Sequence, residues 1–242
     1  MCTLAVAFQT DRRWPLLVAA NRDERLARPS EGWALREPRG GPRLLSPRDL
    51  LQGGTWVGLS ACGLFAALTN VHAPQAYHPS RHSRGELVLR ALAHPTAARA
   101  RSALLLEDAS AYNPFHLLVA DPEGAFLWHY DGTAVGLDDL APGLHVVTEN
   151  AAEDRGPRGE LVRDRWPLDG DPGRLRELLC LHRAEREGTC IHLDPLYGTR
   201  SSLILRRALD LRASELLVAD ARPCTAPHED RSRLLEAVAS SP

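Results

Sequence analysis

Short apolar runs, paired across turn signals, constrain the fold of this chain more than any other feature of its sequence. Residues 3–8 and 14–20 flank the polar segment "QTDRR", and two further pairs occupy 55–70 and 115–130. Such runs, bounded by Gly, Pro and Asp, are typical of β-hairpins. Helical periodicity is confined to the stretches between and after them, which are 83–94, 173–187 and the end of the chain from about 228. Hairpins grouped in this way predict an α+β layered protein.

Length and charge narrow the class of protein further. The 242 residues suffice for one sizeable core, so we expect one domain over 1–242 with the last few residues disordered. A net charge of -2 argues against a nucleic-acid partner. The apolar stretches are too short for a membrane span, and no secretory signal precedes Cys2. We therefore expect a cytoplasmic protein with no disulfide framework and no cofactor, of unknown oligomeric state.

The basic residues restrict the chemistry that the chain can perform. All 29 are arginine, so Schiff-base and lysine-base catalysis are excluded. The only ordinary amine near neutral pH is the N-terminus, whose reference pKa is about 7.7 to 8.0. Cys2 follows the initiator, and a residue this small permits removal of Met1. The processed chain would then carry a nucleophilic thiol and a basic α-amine on one residue.

The first hairpin brings polar side chains to this thiol. If the turn centres near Asp11 and Arg12, opposed residues sum to about 23 and Cys2 lies opposite Asn21, with Asp23 adjacent. Arg22 and Glu24 belong to the same "NRDE" stretch. The alternatives are an accidental terminal cysteine and a solvated charged turn.

Three more polar residues lie where strands end or begin. Asn70 and Asn150 each end a predicted strand, a place where Asn is also common for turn reasons. Arg200 lies in "YGTRSS", before a late strand, as a site cation or a solvent charge. The Pro- and Arg-rich stretch 34–54 predicts a long surface excursion of the sort that borders a site.

Seven motifs in this order make the chain resemble the NRDE family, also called the Transport and Golgi organisation family. They span residues 1–202 and read "MCTL", "NRDE", "GGTWVG", "ALTN", "SRGELV", "YNPFHLLV" and "YGTRSS". The resemblance implies a four-layer αββα sandwich of N-terminal-nucleophile hydrolase type with mainly antiparallel sheets. More distantly, the chain looks like choloylglycine hydrolases and penicillin V acylase.

Roles for five residues are implied by this resemblance. Cys2 matches the nucleophile and Asp23 the carboxylate that contacts the α-amine. Asn70 matches a donor to the developing oxyanion, Asn150 a second site Asn, and Arg200 a cation that supports the thiolate. Two departures stand out, because the distant enzymes carry Arg where this chain has Ala20, and Asn150 follows "TE" where relatives usually have serine.

Other constellations offer alternative chemistry. "CLH" and "CIH" place Cys180, His182, Cys190 and His192 in two Cys-x-His pairs, but their spacing departs from zinc-finger patterns, so we assign no metal site. His72 is a candidate base or a structural histidine. Trp56 is a candidate pocket residue or a core tryptophan.

The sequence thus predicts a hydrolase that uses Cys2, after loss of Met1, to cleave a non-peptide C–N amide bond through a thioester. Its partner would be a small-molecule amide. The alternative is a non-catalytic protein of the same fold that binds or traffics haem or a lipid, as the resemblance to eukaryotic relatives suggests. The chain has no CxxCH motif, so haem would bind without covalent attachment.

Overall fold

The computed structural model describes residues 2–38 and 41–239. The described chain divides into two compact units, one made of the residues up to Arg28 with Pro142–Arg233, the other of Pro29–Ala141 with the residues from Leu234. The first unit holds β1 (Cys2–Phe8), β2 (Leu16–Arg25), β10 (Gly143–Thr148), α3 (Pro157–Arg165), α4 (Pro172–Leu179), β11 (His192–Leu193), β12 (Tyr197–Arg207), β13 (Glu215–Ala219) and β14 (Glu229–Asp230). The second holds β3 (Ser30–Arg36), β4 (Leu44–Asp49), β5 (Val57–Ser60), β6 (Phe65–Asn70), α1 (Gly85–Leu92), α2 (Ala97–Leu104), β7 (Phe115–Ala120), β8 (Ala125–Tyr130) and β9 (Val135–Asp139). Helix α5 (Ser232–Ala239) begins at the boundary between them.

The sheet of the first unit positions the candidate site. Its strand order is β10-β1-β2-β12-β13-β14, with β11 paired to β12, and neighbouring strands are antiparallel. Helix α4 packs on it because Leu175, Leu178 and Leu179 recur at helical spacing and are buried. Two apolar clusters join α3 and α4 to strands β1, β2, β10 and β12.

The sheet of the second unit is an antiparallel meander in the order β3 to β9. Helix α1 buries Leu87, Val88, Ala91 and Leu92, and with α2 it packs against strands β6 to β8. Each unit therefore places helices on one antiparallel sheet.

The α+β class with mainly antiparallel sheets and the three hairpins are confirmed. The predicted surface excursion at 34–54 is wrong, because β4 occupies its centre with Leu44 and Leu45 buried. The proline and arginine residues of this stretch are untypical of a strand, so β4 was not predicted. Strand β4 accommodates Pro47 because this residue lies opposite a bulge in β3. The helix predicted over 173–187 ends at Leu179. Residues 240–242, expected to be disordered, lie outside the described residues, and the single domain stays a prediction.

Candidate active site

Cys2 begins β1 and lies directly opposite Arg22 on β2. The predicted register is therefore wrong by one residue, since opposed residues sum to 24 and Thr3, not Cys2, faces Asn21. Directly opposed residues share a face of the sheet, so the shift gives the thiol a guanidinium as its cross-strand neighbour. Arg22 is 7% exposed, and its Nη2 lies 3.8 Å from Glu24 Oε2.

The Cys2 thiol lies in a partly buried position near Asp23. Its Sγ is 4.0 Å from the backbone oxygen of Asp23. Burial raises the pKa of the Cys2 thiol, the Asp23 carboxylate raises it further, and Arg22 opposes the rise. The thiol is therefore protonated near neutral pH and needs a base before it attacks as a thiolate.

Asp23 is a buried carboxyl with a defined partner. Its Oδ1 accepts a hydrogen bond of 2.5 Å from Thr199 Oγ1, and its backbone oxygen accepts one of 2.8 Å from Tyr197 Oη. Burial raises the pKa of Asp23 to about 7, although the Thr199 hydrogen bond and Arg158 oppose the rise. This carboxyl therefore exchanges its proton in the physiological range.

The raised pKa of Asp23 predicts a specific dependence of stability on pH. Between its ordinary pKa of 3.8 and about 7, the folded chain keeps a proton that the unfolded chain has lost. The free energy of unfolding therefore falls as pH rises through this window. Between about pH 5 and about pH 8, the free energy of unfolding should fall by at least about 1 kcal/mol less in Asp23→Asn than in the wild type. Urea unfolding at the two pH values measures this change, with the exposed Asp164→Asn as the control. An equal loss in wild type and Asp23→Asn would contradict it.

Thr199 and Tyr197 are site residues that the sequence prediction missed. Both lie on β12 beside the strand end of β2, and Thr199 is fully buried opposite Asp23. Thr199 Oγ1 also accepts a hydrogen bond of 2.8 Å from the Ile191 backbone N–H. Both residues belong to the motif "YGTRSS", but only Arg200 of that motif was predicted to be a site residue.

We expect Thr199→Val to lower the free energy of unfolding by about 1 to 3 kcal/mol, because it strips a partner from the buried Ile191 N–H and from Asp23. Thr199→Ser keeps the hydroxyl and serves as the matched control. Chemical denaturation of the two variants measures the difference. Equal stability of the valine and serine variants would show that the hydroxyl stabilises nothing.

Arg200 occupies a β-bulge, which gives it a position without a direct strand partner. The register between β12 and β2 shifts between Thr199 and Ser201, so Arg200 is the extra residue. Its Nη1 donates a hydrogen bond to the backbone oxygen of Arg28. The structure places Arg200 near the end of β2, and its thiolate-supporting role stays a prediction.

A buried ion pair next to the Asp23 carboxyl was also missed. Glu149 Oε2 and Arg158 Nη1 are 3.0 Å apart, with both side chains at most 5% exposed. Glu149 raises the pKa of Asp23 and Arg158 lowers it, after the larger effect of burial. Asn150 is exposed and lies beyond β10, which ends at Thr148. The strand end therefore presents Glu149 to the interior and Asn150 to solvent.

Asn21 supports the strand that carries this site. Its Nδ2 donates hydrogen bonds of 2.8 Å to the backbone oxygens of Leu179 and Thr189. These bonds tie β2 to the end of α4 and to the loop before β11. Asn21 is 2% exposed, so these hydrogen bonds lie in the protein interior, where they hold β2 in place.

Three predicted site residues belong to the second unit. Asn70 is the partly buried last residue of β6 and pairs with Phe115 on β7. Trp56 is partly buried just before β5, and its backbone oxygen accepts a hydrogen bond from Leu68 N–H. His72 is exposed two residues beyond β6. The roles proposed for these residues stay predictions.

Comparison with known proteins decides the family. The model of the family Transport and Golgi organisation 2 matches residues 1–167. The chain belongs to the Transport and Golgi organisation 2 family. The matched region contains Cys2, Asp23, Glu149 and Arg158, whereas the Tyr197–Arg200 segment lies beyond it.

Mammalian relatives in the Transport and Golgi organisation 2 family match part of the chain. The human Transport and Golgi organization protein 2 homolog is 34% identical over 131 residues, which cover 50% of this chain and 45% of that protein. The Bos taurus homolog is 33% identical over the same shares of the two chains. The matched region thus spans about half the length of each relative.

Solved structures with the same fold include a cysteine-to-alanine mutant of conjugated bile acid hydrolase from Clostridium perfringens. It has a TM-score of 0.56 and 10% identity, and the match covers 100% of this chain and 95% of that chain. An arginine-to-leucine variant of that hydrolase gives a TM-score of 0.53 at 9% identity, with the same coverage. The predicted N-terminal-nucleophile hydrolase type of fold is thereby confirmed. Among the described residues, no helix combines the length and apolarity needed to cross a bilayer.

Proposed function

We propose that this member of the Transport and Golgi organisation 2 family is a hydrolase that uses Cys2 to cleave a non-peptide C–N amide bond. The observation that carries the proposal is the position of Cys2 opposite Arg22 and beside Asp23, at the end of a central hairpin. A thiol, a guanidinium and a buried carboxyl converge there within one unit. The fold, shared with a conjugated bile acid hydrolase, supports the same class of reaction.

The raised pKa of the Cys2 thiol favours the α-amine as its base. Loss of Met1, which lies outside the described residues, would place that amine on Cys2 itself. The neutral amine takes the thiol proton, and the thiolate attacks the amide carbon. The C–N bond then breaks, the leaving nitrogen takes the proton from the ammonium, and a thioester remains. Water, deprotonated by the same amine, attacks the thioester and releases the acid and the free thiol.

Asp23 and Arg22 have distinct parts in this mechanism. An α-ammonium beside Asp23 favours the ionised carboxyl, and that carboxyl in turn orients the amine towards the thiol. Arg22 favours the thiolate electrostatically, because a nearby cation lowers the pKa of a thiol. Thr199 holds the Asp23 carboxyl by its hydrogen bond and is a positioning residue.

The decisive experiment follows the N-terminus and an acyl intermediate together. Untagged chain is expressed in a Cys62→Ser background, because the exposed Cys62 would otherwise compete for electrophiles. The mass of its N-terminal peptide is measured before and after incubation with a panel of N-acyl amides. We expect loss of Met1 and a hydroxylamine-sensitive acyl adduct on Cys2. Retention of Met1 in a chain that turns over substrate, or an adduct on another cysteine, would overturn the proposal.

The same preparation separates hydrolysis from the haem or lipid alternative. Titration with haem tests for a shift of its Soret band that disappears in a His or Cys variant. A shift without any amide turnover would favour the binding protein over the hydrolase. Retention of delipidated protein on vesicles containing a fluorescent lipid tests the lipid branch in the same way.

A further inference from the structure

Two cysteines and two histidines, residue types that bind transition metals, lie close together around strand β11 of the first unit. They are His182 after α4, Cys190 before β11, His192 on β11, and Cys224 in the turn after β13. One ligand atom from each lies within 4.8 Å of all the others. All four residues lie beyond residues 1–167, which match the family model. We propose that these four residues bind one zinc ion in a Cys₂His₂ site.

The observed distances fit a tetrahedral ion. Cys190 Sγ lies 3.6 Å from Cys224 Sγ, and His192 Nε2 lies 3.5 Å from the first sulfur and 3.3 Å from the second. Zinc bonds of about 2.3 Å to sulfur and about 2.0 to 2.1 Å to nitrogen place tetrahedral ligand atoms about 3.3 to 3.8 Å apart. Three of the six distances between the ligand atoms therefore match those of a tetrahedral zinc site.

His182 is oriented as the fourth ligand by a backbone group. Its Nδ1 lies 3.1 Å from the backbone oxygen of Cys190. A carbonyl has no proton to donate, so Nδ1 carries the hydrogen and Nε2 keeps a free lone pair. This is the usual arrangement of a zinc-binding histidine, whose second ring nitrogen donates to a carbonyl or carboxylate. The rings of His182 and His192 meet edge to face at 4.6 Å.

The backbone fixes the loop between these ligands. Cys190 N–H donates a hydrogen bond of 3.0 Å to Leu181 O. This bond holds Leu181, at the start of the loop, next to Cys190, at its end. A Cβ at Gly188 would lie 2.6 Å from Leu181 O, so only glycine fits this close approach. Cys190 is 2% exposed while His182 and His192 are exposed, so the site is anchored in the interior and open to ions.

Charge and ligand type favour zinc over other ions. Two thiolates cancel the charge of Zn²⁺, and binding releases the two thiol protons to solvent. A tetrahedral S₂N₂ set is typical of zinc, whereas calcium and magnesium take oxygen ligands. The two Cys-x-His pairs of the sequence contain Cys180, but Cys180 follows the end of α4 and lies outside the group, whose fourth member is Cys224.

A disulfide between Cys190 and Cys224 is the competing outcome. Both are free thiols, and their 3.6 Å separation is far from the roughly 2.05 Å of a disulfide bond. The separation is close to the sulfur–sulfur edge of a zinc tetrahedron, so the geometry favours the ion.

Metal content and cobalt spectroscopy of the full-length chain test this proposal. We expect one zinc per chain after purification in reducing buffer with added zinc. Replacement by Co²⁺ should give thiolate-to-metal charge transfer and the d–d bands of a tetrahedral site. Absence of charge transfer in the folded wild type, or a Cys190–Cys224 disulfide in reducing buffer, would overturn the proposal without any variant.

Matched cysteine variants then assign the ligands. Cys224→Ser should weaken zinc binding by at least about 100-fold, more than the usual effect of losing an outer-shell partner. Cys180→Ser should bind zinc as the wild type does. Weakened binding in Cys180→Ser with unchanged binding in Cys224→Ser would identify Cys180 as the ligand and overturn the proposed set. Circular dichroism of both variants checks that each is folded.

Discussion

Replacing Cys2 by alanine is expected to abolish amide hydrolysis while leaving the fold intact. Alanine is small, so Met1 is still removed and the α-amine stays in place. Only the thiol is lost, and with it the covalent step. Removal of an enzyme nucleophile typically lowers kcat by at least about 10³-fold, so we expect a loss of that size or more. Initial rates on an amide identified in the substrate panel measure it.

Controls for this variant separate the nucleophile from general thiol effects. Cys62→Ser removes an exposed thiol and should turn over substrate at the wild-type rate. Cys2 is partly buried on β1, so the melting temperature of Cys2→Ala should stay close to that of the wild type. Full turnover by Cys2→Ala would refute the mechanism, whatever its stability.

The hairpins were predictable because their signals are local. Alternating strand and turn residues within about 20 positions determine which segments pair, and all three pairs were identified. The register was harder to predict, because it depends on the turn. Gln9 adopts a positive φ of 50°, and its N–H bonds to Pro15 O, which closes a longer loop than the sequence suggests. A shift of one residue exchanged Asn21 for Arg22 opposite the thiol.

The environment of Asp23 could not be predicted from local patterns. Thr199 reaches it from 176 positions away, through the pairing of β12 with β2. Glu149 and Arg158 carry no local sequence signal for pairing, and only the packing of α3 on β10 shows them to be a buried pair. Cys2, Asp23 and Arg200 were singled out by their positions at the chain start and at strand ends, and the resemblance to a known family supplied their roles, which stay predictions. Residues outside a recognised motif gave no comparable signal.

The α-amine can be tested separately from the thiol by adding one uncleaved residue before Cys2. Every side chain of the site then remains, but the amine moves one residue away and can no longer take the thiol proton. General base catalysis typically contributes about 10² to 10⁴-fold, so turnover should fall by that factor.

Electrophile labelling at two pH values distinguishes this loss from a disrupted site. Near neutral pH, where burial keeps the thiol protonated, the extended chain should label more slowly at Cys2 than the processed chain. At alkaline pH the thiol ionises without help from a base, so the two chains should label alike. Slow labelling at both pH values would show that the extension blocks access to the thiol. Unchanged turnover in the extended chain would exclude the α-amine as the base, because the thiol would then be activated by another group.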